Sequence, residues 1–150
     1  MASPENIRTL GGAPRGVMMD ASHISPVAVP VRRLIRQCHP LRARPWGVPV
    51  RARDVWDAYH AGRLVAEPTR DDHAGRIAWF LTQPVLDPIE VEVGVPALHC
   101  YVDWIITDGN HRAAAALLRR DRTIAAYVGG DLNYARELLG VDCLAEGEIG

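Results

Sequence analysis

The stretch Trp104-Ile105-Ile106-Thr107-Asp108-Gly109-Asn110-His111-Arg112, followed by Ala113-Ala114-Ala115-Ala116, constrains this chain more than any other. β-Branched residues favour extended backbone, Gly109 and its polar neighbours interrupt it, and alanine has the highest intrinsic helix propensity. A buried strand, a tight turn and a helix from about His111 to Arg120 are therefore expected, with Arg119 and Arg120 suited to the negative end of the helix dipole. A helix start leaves about four backbone N–H groups without partners and attracts anions. Gly109 would let a ligand approach the main chain, Asn110 offers an amide donor, Arg112 a bidentate guanidinium and His111 a ring that titrates near neutrality. The same residues also suit an ordinary helix start, with Asp108 or Asn110 as a cap.

Elements on either side follow from the same local rules. Residues 1–22 mix Ser, Pro and Gly without a period and read as an irregular arm. Pro26 to Ile35 is β-branched and bounded by prolines, which predicts an edge strand; Gln37 to Val50, with three prolines, predicts an extended loop. Asp54 is placed to cap a helix over Val55 to Ala61 that Gly62 ends, and Asp71-Asp72 to cap a second helix that stops by Pro84. Trp56, Tyr59, Trp79 and Phe80 fall at helical spacing and are expected in the core. Pro88 to Val93 alternates apolar and acidic residues as a half-buried strand does, and pairs in a hairpin with Leu98 to Thr107. Thr123 to Val128 is a last strand, and Asp131 and Gly140 bracket a last helix. The expected order β, α, α, β, β, α, β, α is that of one α+β domain over residues 23–142, with a tail at 143–150.

A length of 150 residues is enough for one such core, and 48% apolar with 23% charged residues is ordinary globular usage. The formal charge of -1 excludes a global field that attracts nucleic acid. All 17 basic residues are Arg, and the segment from Val31 to Arg53 contains Arg32, Arg33, Arg36, Arg42 and Arg44 without an acid, a local basic patch that could meet a nucleic-acid backbone. Trp46 is the one aromatic there to stack on a base. Cys38, Cys100 and Cys143 are scattered and no CxxC occurs, which points to a reducing, cytoplasmic setting. No run reaches the roughly 20 apolar residues of a membrane helix. The Cys-His pairs at 38–39 and 99–100 lack zinc-site spacing.

The helix at Arg76 to Gln83, then Pro88-Ile89-Glu90-Val91, then the Trp104–Ala116 stretch with Asp108-Gly109-Asn110-His111-Arg112, then Ile124 to Val128, resembles the ParB/sulfiredoxin superfamily. The likeness covers roughly residues 24–130. In that superfamily the corresponding turn holds nucleotide phosphates, CTP in ParB and ATP in sulfiredoxin and related small-molecule kinases. The resemblance implies a ParB/sulfiredoxin-like α+β fold and a nucleoside triphosphate, ATP or CTP, as ligand. Gly109, Asn110, His111 and Arg112 would bind phosphate, His111 and Asp108 would serve in hydrolysis or phosphotransfer, and Asp108 would help hold a Mg²⁺ ion. Asn110 stands where sulfiredoxin has its cysteine, which excludes sulfinic-acid reduction, and the chain has no length for a helix-turn-helix domain. The alternatives are a non-catalytic DNA- or protein-binding accessory module, or a ParB-like nuclease, of a phage, plasmid or defence locus.

Overall fold

The computed structural model describes residues 25–141. The expected arm at 1–22, the tail at 143–150 and Cys143 lie outside the described residues. Strand β1 (Val27–Pro30) is followed by helices α1 (Val31–Gln37), α2 (Ala52–His60) and α3 (His73–Leu81). Next come β2 (Ile89–Glu92), β3 (Ile106–Asp108), α4 (Asn110–Arg119), β4 (Thr123–Gly129) and α5 (Leu132–Leu139). The strands form one mixed sheet in the order β1-β4-β2-β3. β2 and β4 run parallel, while β1 lies antiparallel to β4 and β3 antiparallel to β2. This is a small α+β fold with helices packed on a four-stranded sheet, as expected.

Two expectations about elements are corrected. The strand drawn from Pro26 to Ile35 ends at Pro30, and Val31 begins α1. Val31, Leu34, Ile35 and Cys38 stand at helical intervals, and burial of Val31, Leu34 and Cys38 outweighs the β-propensity of the segment. The strand drawn from Leu98 to Thr107 is confined to Ile106–Asp108. Pro96–Leu98 forms a 3₁₀ turn, and His99, with φ 61°, turns the chain back so that Val95 and Cys100 form an isolated bridge. The hairpin of β2 with β3 and the edge position of β1 stand.

Capping follows the sequence closely. Asp72 caps α3 through the Gly75 N–H at 2.9 Å, and Asp131 caps α5 through the N–H groups of Asn133 and Tyr134. Asp54 is instead the third residue of α2, where its carboxylate accepts the Arg51 N–H at 2.9 Å from inside the first turn. Tyr59, expected in the core, is 41% exposed, and Trp56 is half-buried, because α2 turns only Val55 and Ala58 fully inward.

The helix that positions everything else is α4. Ala113 and Ala116 join a core built from the four strands, α1 and α5, whereas Ala114 and Ala115 join a second core with Val50, Val55, Ala58, Ile77 and Ala78. All four alanines are buried. A helix lined with methyl groups on opposite sides lets the sheet and the α2–α3 pair both approach its backbone. Arg119 fixes the far end by donating to the carbonyls of Phe80 (3.3 Å) and Gln83 (2.7 Å) where α3 stops. Replacing Ala115 by Leu puts a branched side chain into this closed space, and thermal or urea unfolding should report a loss of about 1–3 kcal/mol or more. A neutral substitution would mean that α4 is not packed on both sides.

Candidate functional site

Strand β3 leaves the sheet at Asp108, and Gly109 is the N-cap of α4 with φ 103°. The conformation is one that side chains rarely adopt, and a Cβ at this position would collide with the Ile89 side chain of β2. Gly109 is thus fixed first by the fold, which brings the turn down against β2. No side chain caps α4, so neither Asp108 nor Asn110 fills the role of a cap. The first main-chain bond of the helix is Ala113 N–H to the Gly109 carbonyl at 2.9 Å, which leaves the amides of Asn110, His111 and Arg112 ahead of it facing outward from the helix end.

The side chains of the turn are held individually. Arg112 donates to Asp108 Oδ2 at 3.0 Å, with the guanidinium largely covered and the carboxylate mostly exposed. Asn110 Oδ1 accepts the indole N–H of Trp104 at 2.9 Å, so its NH₂ is the end left for another acceptor. A cleft of about 210 Å³ opens beside this turn, lined by Asp108, Gly109, His111 and Arg112 together with Arg76 and Phe80 of α3. Thr69 and Pro68, from the loop before α3, close its rim. Arg76 is aimed by stacking over the Phe80 ring at 4.4 Å and by donating to the carbonyls of Val65 and Ala66. Two guanidiniums therefore face one small cleft with a single carboxylate in its lining.

His111 is the part of the site that sequence reasoning described least well. Its Nε2 meets Nδ1 of His73 at 3.0 Å, with the ring planes 15° apart, so the imidazoles are joined edge to edge in nearly one plane. The indole of Trp46 lies almost parallel to both, 4.7 Å from His111 and 5.2 Å from His73 between centroids. Burial, reinforced by His73, Arg76 and Arg112, pushes His111 down to about 4. At neutral pH it is an uncharged ring and carries no surplus proton to give as an acid. Trp46, expected as a lone aromatic in the Arg-rich loop, and His73, which begins α3, are the partners that local sequence does not assign to this site. The available signal was the placement of His73, Arg76 and Phe80 at intervals of three and four on α3.

The Arg-rich segment divides. Arg32, Arg36 and Arg42 line an open concavity of about 750 Å³ with His39, Trp104 and Leu117. Arg33 is committed elsewhere: it donates to the carbonyls of Glu137 (2.8 Å) and Leu138 (3.2 Å) at the end of α5, where a cation favours the helix dipole. That removes it from the set expected to meet nucleic acid, while Arg44 is exposed and outside the concavity lining. Near His73, Asp72 is engaged by Arg63 and by its capping bond. Among the described residues no three His, Cys, Asp or Glu side chains gather as a metal site, and no helix is long and apolar enough to cross a membrane. Compared with protein-family models, with curated proteins and with solved structures, the chain matches none.

The depressed His111 has a consequence for stability. In the unfolded chain a histidine titrates near 6.5, so between pH 6.5 and about 4 the unfolded state binds more protons and stability rises with pH. Acidification from pH 7 to 5 should cost about 2 kcal/mol through this group. Unfolding of the parent and of His111→Asn at both pH values measures it. The variant should lose less stability over the interval, and an equal loss would show that His111 is not held neutral.

Proposed function

We propose that this chain binds the phosphate end of a nucleoside triphosphate at the Asp108–Arg112 turn, as a small ParB/sulfiredoxin-like protein. The observation that carries the proposal is the convergence of Arg76 and Arg112 with the unpaired first-turn amides of α4 on one cleft. Guanidiniums bind phosphate oxygens bidentately, and a helix N-terminus adds oriented N–H donors and the positive end of its dipole. The Asn110 side chain is held by Trp104 outside the cleft lining, so its main-chain amide is its contribution, and His111, neutral, can donate or accept one hydrogen bond without adding charge. Support also comes from the local order of strand, Asp-Gly-Asn-His-Arg turn and Ala-rich helix, on which the superfamily resemblance rests.

The dimensions limit what enters. A volume of about 210 Å³ is below the roughly 300–1,000 Å³ of sites that enclose a whole small molecule. Phosphoryl groups fit, and the nucleoside part of ATP or CTP would lie at the mouth near Pro68 and Phe80. A Mg²⁺ ion fits the donor set: Arg112 occupies Asp108 Oδ2, and the other carboxylate oxygen of this exposed side chain would hold the ion together with phosphate oxygens. Such an ion would neutralise charge on the phosphates. For hydrolysis or phosphotransfer, Asp108 is the carboxylate in the cleft lining that can orient or deprotonate an acceptor, with His111 beside it.

A thermal-shift series with ATP, CTP and GTP, with and without Mg²⁺, tests the assignment. A ligand at a hundred times its Kd should stabilise the fold by about 2.7 kcal/mol, a shift of several degrees in Tm. Arg112→Ala should abolish the shift. The proposal fails if no nucleotide raises Tm, or if the Arg112→Ala protein responds as the parent does.

One observation favours a second reading, in which the domain is an accessory module for DNA. Arg32, Arg36 and Arg42 share one concavity, without an acid in its lining. Three phosphate contacts predict that log K falls against log salt with a slope of about -2 to -3, and that each Arg→Ala change removes just under one unit. Salt-insensitive DNA binding, or none, would remove this second reading.

A further inference from the structure

We infer that His111, in the wall of the cleft, and His73 behind it act as one dyad, and that this dyad takes up a single proton when a dianionic phosphate or sulfate group enters. The inference rests on the reading of the cleft as an anion site and deepens it, by naming a terminal phosphate dianion as the group preferred.

The geometry supplies the reason. The rings share a 3.0 Å edge-to-edge hydrogen bond, so one proton between or beside them is accommodated and two would put cations in contact. Trp46 covers both rings and keeps water from that side. The charged groups around the dyad leave it with more like charge than counter-charge. From α3, Arg76 faces it with like charge, and from α4 so does Arg112. Asp72 is the carboxylate that interacts with His73, and it is shared with Arg63 and the Gly75 N–H. Asp108, at the end of β3, is paired through one oxygen with Arg112, and Glu67 is set against Arg76. An entering dianion supplies the missing charge, and an opposite charge within about 4–6 Å raises the proton affinity of such a group. The proton comes from solvent, and no covalent bond changes.

Sulfate is the probe, because it stays dianionic across the range, whereas phosphate itself titrates. Isothermal titration of the full chain with sulfate, from pH 5.5 to 8 and in buffers of different ionisation heat, should show uptake approaching one proton per sulfate at the acid end. Kd should rise with pH by up to tenfold per unit where uptake is complete. His73→Asn keeps a donor near the Nδ1 position but cannot ionise. It should lose both the pH dependence and the proton uptake of sulfate binding. Imidazole ¹⁵N spectra at pH 5.5 should show the pair gaining one proton, not two, as sulfate is added. Sulfate binding that is independent of pH overturns the dyad and leaves the phosphate site standing. The dyad is equally overturned by two separate full protonations, by His73→Asn behaving as the parent, or by nucleotides binding while sulfate does not. Failure of sulfate and of every nucleotide to bind removes the site and the dyad together.

Discussion

Helix α4 has a backbone approached from opposite sides, and its four buried alanines are the condition for that approach. Ala113 and Ala116 meet the sheet-side core and Ala114 and Ala115 meet the core of α2 and α3, so two hydrophobic clusters share one helix. Longer side chains would push the layers apart. Because the helix is held this tightly, its N-terminus cannot wander, and Gly109 is pressed against Ile89 with φ 103°. The turn is therefore rigid before any ligand arrives, the state in which binding loses least to ordering. The same packing brings α3 alongside α4, and with it His73, Arg76 and Phe80.

Electrostatics at this end of the helix is lopsided. Arg76 and Arg112 face a cleft whose lining has Asp108 as its carboxylate, and the α4 dipole adds to the positive side. A protein usually relieves such crowding by pairing or by keeping titratable groups neutral, and His111 takes the second course, pushed down to about 4. Two cations and a neutral His111 around an open cleft form an arrangement that an anion stabilises. The concavity of Arg32, Arg36 and Arg42 is broader and shallower, and it lacks the oriented amides of a helix start.

What could be read from the sequence was what neighbouring residues decide. The strand, turn and Ala-rich helix around Gly109 depend on local propensity, and so do the caps at Asp72 and Asp131. Segment α1 was misread because prolines and β-branched residues were weighted over the helical spacing of Val31, Leu34, Ile35 and Cys38, a spacing that only burial makes decisive. The strand before the turn was drawn too long because an apolar run does not show where the chain leaves the sheet. At the site, the residues of the turn were legible, but their partners were not. His73 lies 38 positions from His111 and Trp46 further still, and no local rule joins them. Arg33 shows the converse: its charge was visible, but its use on the α5 carbonyls required the fold.

The central claim is that the amides at the start of α4 and the two arginines beside them receive a phosphate group. Backbone ¹⁵N–¹H spectra recorded while ATP or pyrophosphate is added test it most directly. The amides of Asn110, His111 and Arg112 should move first and furthest, together with the side-chain signals of Arg76 and Arg112. Saturable shifts confined to Arg32, Arg36 and Arg42, or no saturable shift at the α4 turn, would contradict it.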